Sequence, residues 1–137
     1  EKGILILVKT SNPGAGEFQD LLISGQPLYK IVAKKVANGW NKNGNCGVVV
    51  GATYPKELKD VRKIIGDMPI LIPGIGAQGG DLKNTIKNGK GKKSWGMIIN
   101  SSRGIIFAPD PRKAALDLHQ QIIANLCIHL KKLLNYF

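Results

Sequence analysis

The sequence predicts an α/β fold built around a parallel sheet, and three observations carry that prediction. Four short, nearly continuous apolar runs recur along the chain: Ile4–Val8, Gly47–Val50, Pro69–Ile72 and Met97–Asn100. Such runs suit strands covered on both faces. The stretches after them carry apolar residues at helical spacing, so strands and amphipathic helices alternate and imply right-handed βαβ units. Finally, the polar and glycine-rich segments fall after each run, at what would be the carboxyl ends of the strands.

The bulk properties fit one globular domain. The chain has 137 residues, 43% hydrophobic and 21% charged, which argues against wholesale disorder. No apolar run approaches the ~20 residues needed to span a bilayer. Ile4–Val8 is too short for a secretory leader. Cys46 and Cys127 have no metal-ligand spacing and read as reduced thiols of a cytoplasmic protein. The formal charge of +11 suits a phosphate-bearing partner. The lysines are scattered, however, aromatics are only 6%, and no nucleic-acid recognition motif is present. Neither nucleic acid nor membrane is the expected partner.

Taken in order, Ile4–Val8 is the first strand and ends in the polar loop Lys9–Gly14. Leu28, Ile31, Val32 and Val36 share one face of a helix over 28–36, which Asn38 and Gly39 break. Gly47–Val50 is the second strand, rich in β-branched residues. Thr53 is placed to cap the next helix and Pro55 to occupy its first turn. That helix turns Leu58, Val61, Ile64 and Ile65 inward, and Gly66–Asp67 closes it. Pro69–Ile72 is the third strand. A short helix over about 82–87 follows, then a surface loop at 88–94. Met97–Asn100 is the fourth strand, followed by the polar segment Ser101–Gly104. Asp110 as cap and Pro111 in the first turn open a final helix. Its core stripe is Ala114, Leu118, Ile122, Leu126 and Leu130, and Lys131 and Lys132 complement its C-terminal dipole.

Four units in 137 residues, about 34 each, equal half of an eightfold (β/α) barrel, which usually needs ~250 residues. An open flavodoxin-like sheet is the rival, and length alone favours it. Both folds bind ligands at the carboxyl ends of the strands.

At that end lies Ile70–Asp81, where the third strand meets Pro73 and four glycines follow: Gly74, Gly76, Gly79 and Gly80. Such a loop lets backbone N–H groups approach an anion closely. Gln78 is its one long polar side chain. Arg103 is the natural phosphate anchor, since a guanidinium gives two parallel charge-assisted hydrogen bonds to phosphate oxygens. The backbone N–H of Gly104 would join it, and Gln78 would add a donor from across the site. Ser11 is a candidate for the polar edge of a bound base. Taken singly, Arg103 could be a surface ion pair and Ser11 a turn residue. His119 and His129 lie in the last helix and read as helix-face residues. Glu17, Asp20, Asp60 and Asp67 form no obvious catalytic pair, and no nucleophile–base arrangement is visible.

Four blocks together resemble the orotidine 5'-phosphate decarboxylase family: Leu7–Gly14 with its Lys-Thr-Ser-Asn-Pro wording, Val49–Thr53, Ile72–Asp81 and Asn100–Arg103. The resemblance spans about residues 4–124. It implies a (β/α)8 TIM barrel, of which residues 1–137 form the C-terminal half, and a homodimer. It also implies decarboxylation of orotidine monophosphate to uridine monophosphate without metal or organic cofactor. By motif, Ser11 contacts the pyrimidine, Gln78 and Arg103 grip the 5'-phosphate with Gly104, and Pro73 starts a loop that closes over substrate. The family's catalytic Asp-x-Lys-x-x-Asp motif is missing from the chain. The segment is therefore expected to hold no catalytic residue, to need the N-terminal half of the barrel as partner, and to be inactive and poorly soluble alone. A related phosphosugar barrel of the hexulose-phosphate synthase type and a non-enzymatic phosphate- or nucleic-acid-binding module are the alternatives.

Overall fold

The computed structural model describes residues 2–76, 78–92 and 96–134, with side chains described through Cys127. The expected positions of Lys93 and Ser94, and the side chains of His129, Leu130, Lys131 and Lys132, lie outside the described residues.

Along the chain come β1 (Ile4–Lys9), α1 (Ala15–Gln19), β2 (Leu22–Ile23), β3 (Gln26–Pro27), α2 (Leu28–Lys35), β4 (Cys46–Val50) and α3 (Pro55–Ile65). Then follow β5 (Ile70–Pro73), α4 (Leu82–Gly89), β6 (Met97–Asn100), α5 (Ser102–Ile106) and α6 (Pro111–Leu134). All four predicted strands and the helices between them form. α1 and the antiparallel hairpin β2–β3 are additions within the first unit. α2 does not stop at Asn38 but runs into a π-turn, Val36–Trp40.

The main sheet has the order β1-β4-β5-β6, every neighbour parallel. With the hairpin set aside, spatial order follows chain order, so the sheet is singly wound. A flavodoxin-like sheet reverses its strand order and carries helices on both faces. Here the core lies between the sheet and one helical layer: Val48, Val50, Ile70 and Ile72 pack with Ala33, Val36, Leu58, Val61 and Ile65. The arrangement is that of a partial barrel.

The other face carries a row in register, Leu7, Val49, Leu71 and Ile98. Its ends are open: Leu7 is 65% and Ile98 48% exposed, whereas Val49 is 7% exposed. The expectation that every strand is covered on both faces therefore fails at β1 and β6. Each is an edge strand with a neighbour on one side only.

The buried residues of α2 are Tyr29 and Ala33, with Val36 just beyond. They follow i, i+4, i+7 spacing, and the predicted Leu28, Ile31 and Val32 are only half-buried. The stripe of α6 is likewise half-buried from Ala114 to Leu126, with Leu118 packed on the core. At the opposite end from the polar loops, Arg62 of α3 is buried at 7% exposure. Its guanidinium donates to the carbonyls of Gly89 (2.6 Å), Gly66 (2.6 Å), Met68 (2.7 Å) and Gly96 (3.1 Å). These carbonyls end α3 and α4 and precede β5 and β6, so one side chain fixes the phase of two strands and two helices.

Candidate functional site

Because the strands are parallel, the loops after β1, β4, β5 and β6 gather at one end of the sheet. β1 reaches that end through a register shift between Leu7 and Lys9. The backbone N–H of Gly51, just past β4, donates to the Lys9 carbonyl at 2.7 Å. A Cβ at Gly51 would collide with Ser11 Oγ and lie 3.0 Å from Ser11 N. Glycine is thus required there to let the loop bearing Ser11 settle on the end of β4.

Ser11 Oγ accepts a hydrogen bond from Thr53 Oγ1 at 3.0 Å. Thr53 is therefore not the helix cap that its sequence position predicts. Instead Tyr54 stands at the N-cap of α3 with no side-chain cap bond, while Pro55 takes its expected first-turn place. The Thr53 hydroxyl donates to a serine 42 residues away in sequence, where a cap would accept from a first-turn N–H.

β5 ends at Pro73, and the chain turns at Gly74 with φ +100°, a conformation that disfavours any side chain. A Cβ at Gly74 would lie 2.6 Å from Gln78 Oε1 and 3.3 Å from Ser11 Oγ. Gln78 and Ser11 therefore converge over Gly74. The loop is braced by its own backbone: Gly79 N–H donates to the Gly76 carbonyl (2.8 Å) and Gly80 N–H to the Gly74 carbonyl (3.1 Å). Those two amides therefore serve the loop itself. Asp81 then caps α4 by accepting from Asn84 N–H.

After β6 the expected polar loop is in fact the start of α5. Ser101 is its N-cap residue, and Arg103 and Gly104 lie in its first turn. The change has a chemical consequence, since first-turn N–H groups have no helical acceptor before them. Ser101 Oγ donates to the Ile75 carbonyl at 3.3 Å, tying α5 to the glycine loop. It would also lie 2.7 Å from a Cβ at Gly104, so the turn is packed closely there.

Between the two loops is a cavity of about 180 Å³ lined by Pro73, Gln78, Asn100, Ser101, Ser102 and Arg103, together with Gly74 and Ile75. Three predicted site residues, Pro73, Gln78 and Arg103, are thus brought to one hollow. Ser11 stands beside it across Gly74, and Gly104 beside it in α5. Arg103 is exposed. Among the described residues its guanidinium is in no ion pair; those present join Lys9–Asp20, Lys30–Asp60 and Lys113–Asp117. The guanidinium and hydroxyls of this hollow suit an anion with several oxygens.

Lys9, expected in the polar loop after the first strand, is instead the last residue of β1. Its side chain is 1% exposed and its ammonium meets both oxygens of Asp20, at 2.7 and 2.8 Å. A lysine at the very end of an apolar run was the available signal. The other carboxylates do not assemble into a catalytic pair: Asp60 binds Lys30 at 2.7 Å and Asp67 accepts from Lys92 N–H at 2.7 Å. His119 is exposed on α6. Among the described residues no cluster of His, Cys, Asp and Glu could hold a metal ion. Cys46 is buried and Cys127 exposed, both as free thiols. No helix of the described residues is long and apolar enough to cross a membrane.

A family model described as "Orotidine 5'-phosphate decarboxylase / HUMPS family" matches residues 1–118. An orotidine 5'-phosphate decarboxylase of Cupriavidus metallidurans is 52% identical over 115 residues, covering 84% of this chain and 42% of the relative. The solved OMP decarboxylase of Leishmania donovani superposes with a TM-score of 0.86 at 42% identity, covering 91% of this chain and 48% of that one. The UMP synthase of the same organism superposes with a TM-score of 0.87 at 44% identity, covering 91% and 28%. The chain thus spans less than half the length of each of these proteins.

Proposed function

This chain belongs to the orotidine 5'-phosphate decarboxylase / HUMPS family, and from that premise we propose that it supplies the substrate-binding half of an orotidine 5'-phosphate decarboxylase. The observation that carries the proposal is the shared cavity of Gln78 and Arg103 at the ends of β5 and β6. Arg103 binds two oxygens of the 5'-phosphate of orotidine monophosphate through its planar fork. The first-turn N–H of Gly104 adds a donor, and Gln78 donates from the facing loop. Ser11, across Gly74 from Gln78, offers its hydroxyl and N–H to the pyrimidine edge. Pro73 begins the loop that closes over the nucleotide. Closure coupled to phosphate binding lets a remote group assemble the site and exclude water.

The proton donor and the carboxylates of the decarboxylation come from an N-terminal half. That half closes the barrel by pairing with the free edges of β1 and β6 and covering Leu7 and Ile98. Unpaired edges beside exposed apolar side chains favour association. Residues 1–137 then form the C-terminal part of one barrel domain. Pairing of two such enzymes into a homodimer, and a cytoplasmic location, belong to the same proposal and rest on the family resemblance.

The test is decarboxylation of orotidine monophosphate by the 137-residue chain alone and after mixing with the N-terminal half of a relative. The proposal expects no turnover from the chain alone and turnover from the mixture. Turnover by the chain alone would overturn it. A phosphosugar substrate instead predicts that a sugar phosphate competes as well as uridine monophosphate. A polyanion-binding module predicts steep salt dependence and little preference for a mononucleotide.

A further inference from the structure

The loop that presents Ser11 is closed by two consecutive residues at the end of α1. Asp20 takes the Lys9 ammonium with both carboxylate oxygens, at 2.7 and 2.8 Å. Gln19 grips Thr10 twice: its Oε1 accepts from Thr10 N–H at 2.9 Å, and its Nε2 donates to Thr10 Oγ1 at 3.0 Å. Thr10 Oγ1 in turn donates to Asn12 Oδ1. Both chain neighbours of Ser11 are therefore tied, while Ser11 Oγ itself accepts from Thr53. The Lys9 ammonium also sits 4.5 Å from the centre of the Tyr54 ring, one residue beyond Thr53. The same cation thus touches both loops that meet at Ser11.

We infer that Lys9, Asp20 and Gln19 form a clasp that positions Ser11 for the pyrimidine edge, making them positioning residues for base recognition. The inference rests on the reading of Ser11 given above. A lysine at 1% exposure cannot stay charged and unpaired without large cost. Losing Asp20 therefore either expels Lys9 or rearranges the loop around it. A hydrogen bond that selects a base needs its donor held within about 0.5 Å. Two side-chain ties on Thr10, one ion pair on Lys9 and the hydroxyl of Thr53 meet that need in a loop otherwise exposed at Asn12, Pro13 and Gly14. None of these groups reaches the Arg103 cavity, so the clasp acts on the base and not on the phosphate.

The test uses the full-length enzyme carrying this chain and two competitive probes, uridine monophosphate and ribose 5-phosphate, which lacks a base. Lys9→Met should weaken uridine monophosphate about tenfold and change ribose 5-phosphate less than about twofold. Lys9→Arg, which keeps the charge and a fork for Asp20, should restore most of the loss. In a Ser11→Ala background Lys9→Met should cost nothing further for uridine monophosphate. Equal losses for both probes, or full additivity with Ser11→Ala, would overturn the inference and leave Lys9 as a stabilising ion pair only. If Lys9→Met does not fold, Asp20→Asn carries the same expectations, because Asp20 is half exposed at 52%. A Ser11→Ala enzyme with unchanged affinity for uridine monophosphate would refute the role of Ser11 itself, and the clasp with it.

Discussion

Replacing Arg62 by Met should be the most damaging single change outside the ligand site. The side chain is 7% exposed and gives four hydrogen bonds, to the carbonyls of Gly66, Met68, Gly89 and Gly96. Hydrogen bonds from a charged donor contribute about 1.5–3 kcal/mol each, so four would sum to about 6–12 kcal/mol. Against this stands the burial of a guanidinium with no carboxylate bonded to it among the described residues, several kcal/mol after relaxation. That burial pushes its pKa below the ordinary arginine value, opposed in part by Asp67. Arginine nonetheless stays charged over any working pH, so the cost is the same throughout that range. The net loss for Arg62→Met should be about 3–5 kcal/mol, part of it from carbonyls left without donors. Urea unfolding followed by far-ultraviolet circular dichroism measures it. Arg62→Lys should recover only part, since three donors on one nitrogen cannot span four carbonyls. A loss under about 1 kcal/mol for Arg62→Met would refute the claim that this residue phases β5 and β6.

Other expectations follow from the same geometry. Gly51→Ala drives a methyl group into Ser11 Oγ; affinity for uridine monophosphate should fall about tenfold or more, while ribose 5-phosphate binding is nearly kept, as competitive titration will show. Tyr29 is buried at 6% exposure, and burial raises its phenol pKa while Lys30 partly opposes the shift. A folded-state pKa above the unfolded one gives stability that is complete below the unfolded value of about 10 and is lost as pH rises through the folded value. Alkaline unfolding should therefore be steepened by Tyr29, and Tyr29→Phe should flatten the fall of stability above about pH 10.

Much of this architecture was legible in the residues. The apolar runs located β1, β4, β5 and β6, and the Asp110–Pro111 start of α6 was right, with Asp110 Oδ1 accepting from Lys113 N–H. What escaped the sequence depended on partners distant along the chain. The hairpin β2–β3 has two residues per strand, too few to show a period. Thr53 has the composition of a cap, but Ser11 determines its role. Arg62 lies between Val61 and Lys63 in no recognisable motif; its value comes from carbonyls up to 34 residues away. The start of α5 carries no helical signal in the sequence, because Ser101, Ser102 and Gly104 are poor helix formers. The open row at Leu7 and Ile98 departs from the apolar runs, which imply cover on both faces, and agrees with the half-barrel expectation, in which β1 and β6 are edges. The convergence of Gln78 and Arg103 on one cavity follows from the sequence, because a glycine loop and a basic turn after adjacent strands meet at one end of a parallel sheet.

The most direct measurement is a titration of uridine monophosphate into the full-length protein bearing Arg103→Ala, Gln78→Ala and both changes together. If the two side chains hold one phosphate, Arg103→Ala should cost about 100-fold, from two charge-assisted bonds of at least about 1.5 kcal/mol each. The double variant should then lose less than the product of the single losses. Affinity unchanged within about threefold for Arg103→Ala, or strict additivity of the pair, would contradict a shared phosphate site.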